Sequence, residues 1–170
     1  AAVFASTPFV GAFGLTYAFK TTADAAGDFE QQMNILGVTS KATIKNLNDA
    51  RNLAIALGRD IRLPATSALD AATAMTELSK AGLTLGDSMK AARGTLQLAA
   101  AANIEAADAA KITAGALNAF RQPGQAAARI ASELAAAANA AQGEIPDMAI
   151  GLQQATAVAS AFGLTTGETI

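Results

Sequence analysis

Apolar residues recur at steps of three and four along most of this chain, and the pattern stops at regular places. The first nineteen residues, "AAVFASTPFVGAFGLTYAF", carry no charge. Within them Phe9, Phe13 and Tyr17 fall at i, i+4 and i+8, the spacing of one helical face. Residues 20 to 38 read as a continuing helix in which Phe29, Met33 and Leu36 share a face. The segment "GVTSKAT" breaks it. Ser40 or Thr43 can cap the next helix, whose body is Asn46 to Leu57 and whose stop is Gly58. "RDIRLPAT" is a linker, because Pro64 fits a helix only in its first turn.

Beyond Pro64 the pattern becomes periodic. Thr66 or Ser67 caps a helix carrying Ala68, Ala71, Met75 and Leu78, which stops at Gly82 in the left-handed region. Asp87 caps the next, with Met89, Ala92, Leu96 and Ala99 inward. A third carries Ala110, Thr113, Leu117 and Phe120 and is broken by "RQPG". A fourth carries Ala127, Ile130, Leu134 and Ala137 and stops near Gly143. Pro146 opens a fifth, with Met148, Leu152, Ala155, Ala159 and Phe162 inward and a stop at Gly163. Breaks near residues 82, 103, 122, 143 and 163 give a period of roughly 20 residues, the spacing of helical arrays. Short linkers make consecutive helices antiparallel neighbours. The fold expected is all-α: a compact stack of short Ala-rich antiparallel helices preceded by a longer apolar N-terminal helix. Residues 1–38 form the apolar segment and connector, and 39–170 form the helical domain.

Composition sharpens this picture. Alanine makes up about a quarter of the 170 residues, far above ordinary usage, and Trp is absent. Helices built this way can approach closely, with few large side chains to fill gaps. The net charge of −2 leaves no basic stripe to follow a phosphate backbone, so nucleic-acid binding is disfavoured. The chain has no Cys and no His. A disulfide framework, a thiolate nucleophile and the commonest metal ligand are therefore excluded. The N-terminal apolar stretch just reaches the length of a membrane span, and Ser6, Thr7, Pro8 and Thr16 make it borderline. It reads as a helix buried against partner chains, with entry into a membrane as the other use of the same stripe. The chain lacks an initiator Met and stops at "GLTTGETI", where a new helix begins, so it reads as an excerpt of something longer.

Candidate chemistry is sparse. Asp24, Asp28 and Glu30 lie at helical spacing, but a solvated face explains them without a third inward carboxylate. "LTLGDS" lacks the lysine and second glycine of a phosphate-binding loop. Ser67, Ser79 and Ser132 have no base nearby in sequence, and caps or helix surface account for them. Lys41 with Lys45, and Arg59 with Arg62, suit a solvated or interface role. Met33, Met75, Met89 and Met148 fall on apolar faces and read as core. Asn139 reads as a turn or cap. No catalytic residue, metal or cofactor is expected.

The order of the segments carries more information than any one of them. Phe29-Glu30 with Met33 is followed by Ala50-Arg51 with Leu57-Gly58, then by Ala74-Met75, Leu78 and Ala81-Gly82. Leu96, Leu98 and Ala99 come next, then Ala106-Ala107-Asp108, Ala138-Asn139, and Gly163-Leu164 with Glu168. From about residue 28 to 170 this series resembles the core region shared by tape measure proteins of long-tailed phages. "RDIRLPAT", "FRQPGQ" and Ser132 depart from that pattern. The resemblance implies a structural protein that fills the lumen of the tail tube near the tip. It would set tail length during assembly and be released during genome ejection. It also implies a homo-oligomer of three copies and contacts with tail tube, distal tail and tip or hub proteins. Tail assembly chaperones are a further implied partner, as is contact with the host envelope at ejection. The implied location is the virion tail, at its lumen or tip. Phe9, Phe13 and Tyr17 are the expected oligomer or membrane contact, and Gly58, Gly82, Gly143 and Gly163 the expected helix stops. The competing reading is a soluble Ala-rich scaffold or interaction module unrelated to phage tails.

Overall fold

A computed structural model describes residues 11–141. Six helices account for most of them: α1 (Gly11–Ser40), α2 (Ile44–Leu57), α3 (Ala68–Lys80), α4 (Leu85–Ala102), α5 (Ala106–Ala119) and α6 (Ala127–Ala141). A 3-10 turn, Gly124–Ala126, leads into α6. No strand occurs among the described residues, and the fold is all-α. The helix expected after Pro146, with Gly143 and Gly163, lies outside them.

The helix starts follow side-chain chemistry. Thr43 caps α2, its hydroxyl accepting from the Asn46 amide at 3.3 Å. Ser67 and Asp70 close a capping box on α3: the Asp70 amide donates to the Ser67 hydroxyl, and the Ser67 amide to the Asp70 carboxylate. The cap of α4 is Thr84, not Asp87 as the sequence suggested. Leu85 is buried, so the helix starts one turn earlier. Asp87 then becomes its third residue: its amide donates to the Thr84 hydroxyl at 3.1 Å, and its carboxylate accepts from that hydroxyl at 2.8 Å. Glu105 precedes α5 without a side-chain cap bond.

The helix ends vary more. Gly82 has φ of 98°. The Leu83 amide reaches back to the Leu78 carbonyl at 3.2 Å and the Gly82 amide to Ser79 at 3.1 Å, which is a Schellman motif. Lys41, Asn103 and Arg121 fill the same left-handed position after α1, α4 and α5, with φ of 51°, 51° and 50°. Gly58 ends α2 differently, with φ of −67°. Its need for glycine is steric, because a Cβ there would lie 2.4 Å from the Ala68 amide nitrogen.

At the centre sit α3 and α4. The first touches α1, α2, α4 and α5; the second touches α2, α3, α5 and α6. The tightest partners skip one element, α1 with α3 and α4 with α6. Because α3 is enclosed on several sides, it buries more than the narrow seam its periodicity suggested. Ala72, Ala74, Thr76 and Ser79 are buried beside the expected Ala71, Met75 and Leu78. The hydroxyls among them are satisfied at short range. Thr76 donates to the Ala72 carbonyl at 2.8 Å and Thr95 of α4 to that of Ala91 at 3.0 Å. The buried Ser79 and Ser88 hydroxyls pair at 3.0 Å between α3 and α4. From α1, Met33 and Leu36 enter the core completely and Phe29 partly.

Two glycines set how closely α6 can approach. Gly124 faces the Asp87 backbone, where a Cβ would lie 2.2 Å from the carbonyl oxygen. Gly94 faces Ala127 and Ala128, where a Cβ would lie 2.4 Å from the Ala128 nitrogen. The contact thus advances along both segments in the same sense. Replacing Gly94 by alanine should separate α4 from α6, at a cost of about 1–3 kcal/mol. Gly86 is a control in the same helix. Its Cβ would meet only the Thr84 hydroxyl, at 3.9 Å, so Gly86→Ala should be neutral or stabilise by about 0.5–1 kcal/mol. Urea unfolding of both variants checks this; equal effects would remove close approach as the cause.

Candidate functional site

Polar side chains cluster where elements meet rather than around a cleft with reactive groups. The densest cluster centres on Asp60, in the α2–α3 linker, whose side chain is only 10% exposed. Its Oδ1 accepts from the Arg62 backbone amide and from Arg62 Nε, both at 3.0 Å. Its Oδ2 accepts from Arg62 Nη2 at 3.0 Å and from Arg93 Nη2 of α4 at 2.5 Å. The hydrogen bonds from the Arg62 side chain and backbone, followed by that from Arg93, hold the Asp60 carboxyl well below the usual carboxylate range. Arg93 thereby anchors the linker to α4. The sequence placed Arg62 in the linker but gave no sign of Arg93, which lies 31 residues further on.

A second ion pair joins α1 to α2. Arg51 donates to both carboxylate oxygens of Glu30, with Nη2 to Oε2 at 2.7 Å. Its guanidinium also lies over the Phe29 ring, 5.6 Å from the centroid. The hydrogen bond from Arg51 lowers the Glu30 pKa. Phe29-Glu30 and Arg51, which stood in two separate sequence motifs, therefore meet at one place.

A groove of about 580 Å³ opens between the start of α3, the end of α4 and the start of α5. Leu69, Thr73, Leu96, Ala99 and Ile104 line it, with Asp70 and Glu105 at its polar edge. It brings no nucleophile and base together.

The remaining sequence candidates resolve into structural roles. Asp24 and Asp28 are exposed. Ser67 is a cap, and Ser132 donates to the Ala128 carbonyl at 3.1 Å. Lys45 pairs with Asp49 at 3.2 Å. Met75 is buried and Met89 half-buried. Position 139 falls near the end of α6, inside the helix. Phe13 and Tyr17 are residues of α1, while Phe9, Gly143 and Gly163 lie outside the described residues. Among the described residues no group of three acidic side chains could hold a metal ion, and no helix is long and apolar enough to cross a membrane.

These features define a helical packing module whose polar groups cap and join its elements. Residues 51–170 match the family model described as phage-related minor tail protein, and the chain belongs to that family. It is also 32% identical, over 142 residues, to the tape measure protein of Pneumococcus phage Dp-1. That stretch is 84% of this chain and 12% of the relative, so the chain spans a small part of the relative's length. No solved structure matches it. Family membership makes the chain a structural component of a phage tail, related to tape measure proteins, and removes the reading as a scaffold unrelated to tails.

Two predictions follow the side-chain geometry. The Asp60→Asn variant should be less stable than the parent at neutral pH. The stabilisation from Asp60 is complete above the ordinary carboxylate value of about 4 and is lost as pH falls toward its lowered folded value. The gap between parent and variant in urea midpoints should therefore hold at higher pH and narrow steadily as pH falls below about 4; a gap independent of pH would contradict it. Thr113 is fully buried on α5, and its hydroxyl has no partner among the described residues. Thr113→Val, nearly isosteric, should raise stability by about 1 kcal/mol, measured by the same titration.

Proposed function

We propose that this chain is the helical core region of a tail protein that fills the tube lumen, sets tail length and is released with the genome. The observation that carries this reading is the identity to a tape measure protein across 84% of the chain. The family match through residue 170 supports it. So does the character of the fold: small residues at helix contacts make thin bundles, which suit a narrow tube. A near-neutral surface, with a net charge of −2, would let DNA pass without strong attachment.

In this reading the partners are further copies of the chain, three in number, with the tail tube, distal tail and tip or hub proteins. Tail assembly chaperones hold the chain before the tube closes around it. Phe9, Phe13 and Tyr17 are the contact between copies in the tail, and they meet the host envelope after ejection. Each aromatic buries on the order of 150–250 Å² in a good contact, so three of them left in water would be unfavourable by several kcal/mol at about 25 cal/mol per Å².

The test uses purified virions. Mass spectrometry and antibody labelling should find residues 1–170 inside intact tails, protected from protease, and depleted from the same tails after ejection is triggered in vitro. Exposure on the outside of intact tails, or full retention after ejection, would overturn the lumen reading.

A further inference from the structure

The groove beside Leu69 and Ile104 combines an apolar floor with charge of one sign. It lies between α3 and α5, which run side by side in the same direction. Their starts flank the groove, and at their far ends the Asn118 side-chain amide of α5 donates to the Ala81 carbonyl at 2.9 Å. The end of α4 forms the third wall. Leu96 is buried, and Leu69, Thr73 and Ile104 are half-buried, so apolar surface faces the opening. The volume of about 580 Å³ falls in the range that takes several side chains of a ligand.

Among the described residues, the charged side chains that line the groove are both acidic: Asp70 on the α3 side and Glu105 on the α5 side. Asp70 uses one oxygen, Oδ2, for the amide and hydroxyl of Ser67. Glu105 is exposed and makes no cap bond. Lys111, the base on α5, is held by Asp108 at 2.8 Å. The backbone adds acceptors at the end of α4. That helix has no basic residue in its last turn, and the amides of Asn103 and Ile104 both return to the Ala99 carbonyl. The carbonyls of residues 100–102 receive no such bond, and they form the negative end of the helix dipole. The starts of α3 and α5 bring about half a positive charge each, and the end of α4 about half a negative one. Two full carboxylates outweigh that sum, so the groove is net negative.

We propose that this groove is the docking site for a segment of a partner protein that carries an apolar ridge flanked by Lys or Arg. The mode is a ridge laid into a groove, with apolar anchors at helical spacing. The anchors fill the floor over Leu69, Leu96 and Ile104. The cations reach Glu105, the second oxygen of Asp70 and the last carbonyls of α4. Lys and Arg suit these partners because each donates several hydrogen bonds and accepts none. Charge selects the occupant. Residues 142–170 of the chain contain Glu144, Asp147 and Glu168 and no base, so the groove does not attract them. The first nineteen residues carry no charge at all. The inference does not rest on the tail-lumen reading.

The test is fluorescence anisotropy with two labelled amphipathic peptides, each about five helical turns long. Both carry Leu at helical spacing; one has Lys on its flanks and the other Glu. The 170-residue chain should bind the Leu/Lys peptide at least about tenfold more tightly than the Leu/Glu peptide, and high salt should shrink that difference. Glu105→Lys should lower affinity for the Leu/Lys peptide about tenfold. Because Glu105 makes no cap bond, this variant should keep the fold, with helicity and melting as the check. Ala100→Arg, at an exposed position lining the groove, puts the chain's own cation into the opening and should weaken binding to a similar degree. Asp49→Lys is the control, because Asp49 lies on α2 and pairs with Lys45; it should leave binding unchanged. Equal affinity for the two peptides would overturn the proposal, as would binding that survives both Glu105→Lys and Ala100→Arg. So would self-association of the parent that Ala100→Arg abolishes, since the occupant would then be a second copy. An intramolecular disulfide forming readily in an Ala107→Cys/Leu152→Cys variant would also overturn it, by putting the chain's own segment in the groove.

Discussion

The fold depends on how closely its helices can approach. At three contacts there is no room for a β-carbon at all: Gly58 lies against the backbone at Ser67 and Ala68, Gly94 against that at Ala127 and Ala128, and Gly124 against that of Asp87. Elsewhere the methyl group of alanine sets the distance. Ala50, Ala54, Ala71, Ala74, Ala91 and Ala110 are all completely buried. Dispersion falls off steeply with separation, so close backbones recover contact that large side chains would otherwise supply. The abundance of alanine is thus the basis of the core. Large residues such as Met33, Leu78, Leu98 and Leu134 occupy what space remains.

Much of this was legible in the sequence because it depends on local rules. Thr43, Ser67 and Gly82 act within a few residues of themselves, and a cap or a left-handed turn needs no distant partner. The inward positions Met75, Leu96, Leu117 and Ile130 follow from periodicity. Other features arise only when distant segments meet. Gly94 looks like a weak point in a helix until Ala128 lies against it. Arg93 reaches Asp60 across 33 residues, and the Ser79–Ser88 pair exists only because α3 and α4 pack together. The misplaced cap at α4 has a different origin. Both Thr84 and Asp87 are good cap residues, and burial of Leu85 chose between them.

The same limit applies to function. No charge cluster or motif in the described residues indicates a reaction, and the groove beside Leu69 and Ile104 has no chemistry of its own. The informative feature is the order of unremarkable helices, which agrees with the chain's membership of a phage tail family.

The buried hydroxyls have a mechanical consequence. Thr76 and Thr95 return their hydrogen bonds to the preceding turn of their own helices. The helices of this bundle are therefore largely self-contained in their polar bonding. Polar cross-links between elements are few among the described residues: the Ser79–Ser88 pair, the bond from Asn118 to the Ala81 carbonyl, and the Arg51–Glu30 and Arg93–Asp60 ion pairs. Pulling one helix from another mainly exposes methyl groups and strands few polar ones. Tension that draws one helix off another therefore works mainly against lost apolar contact.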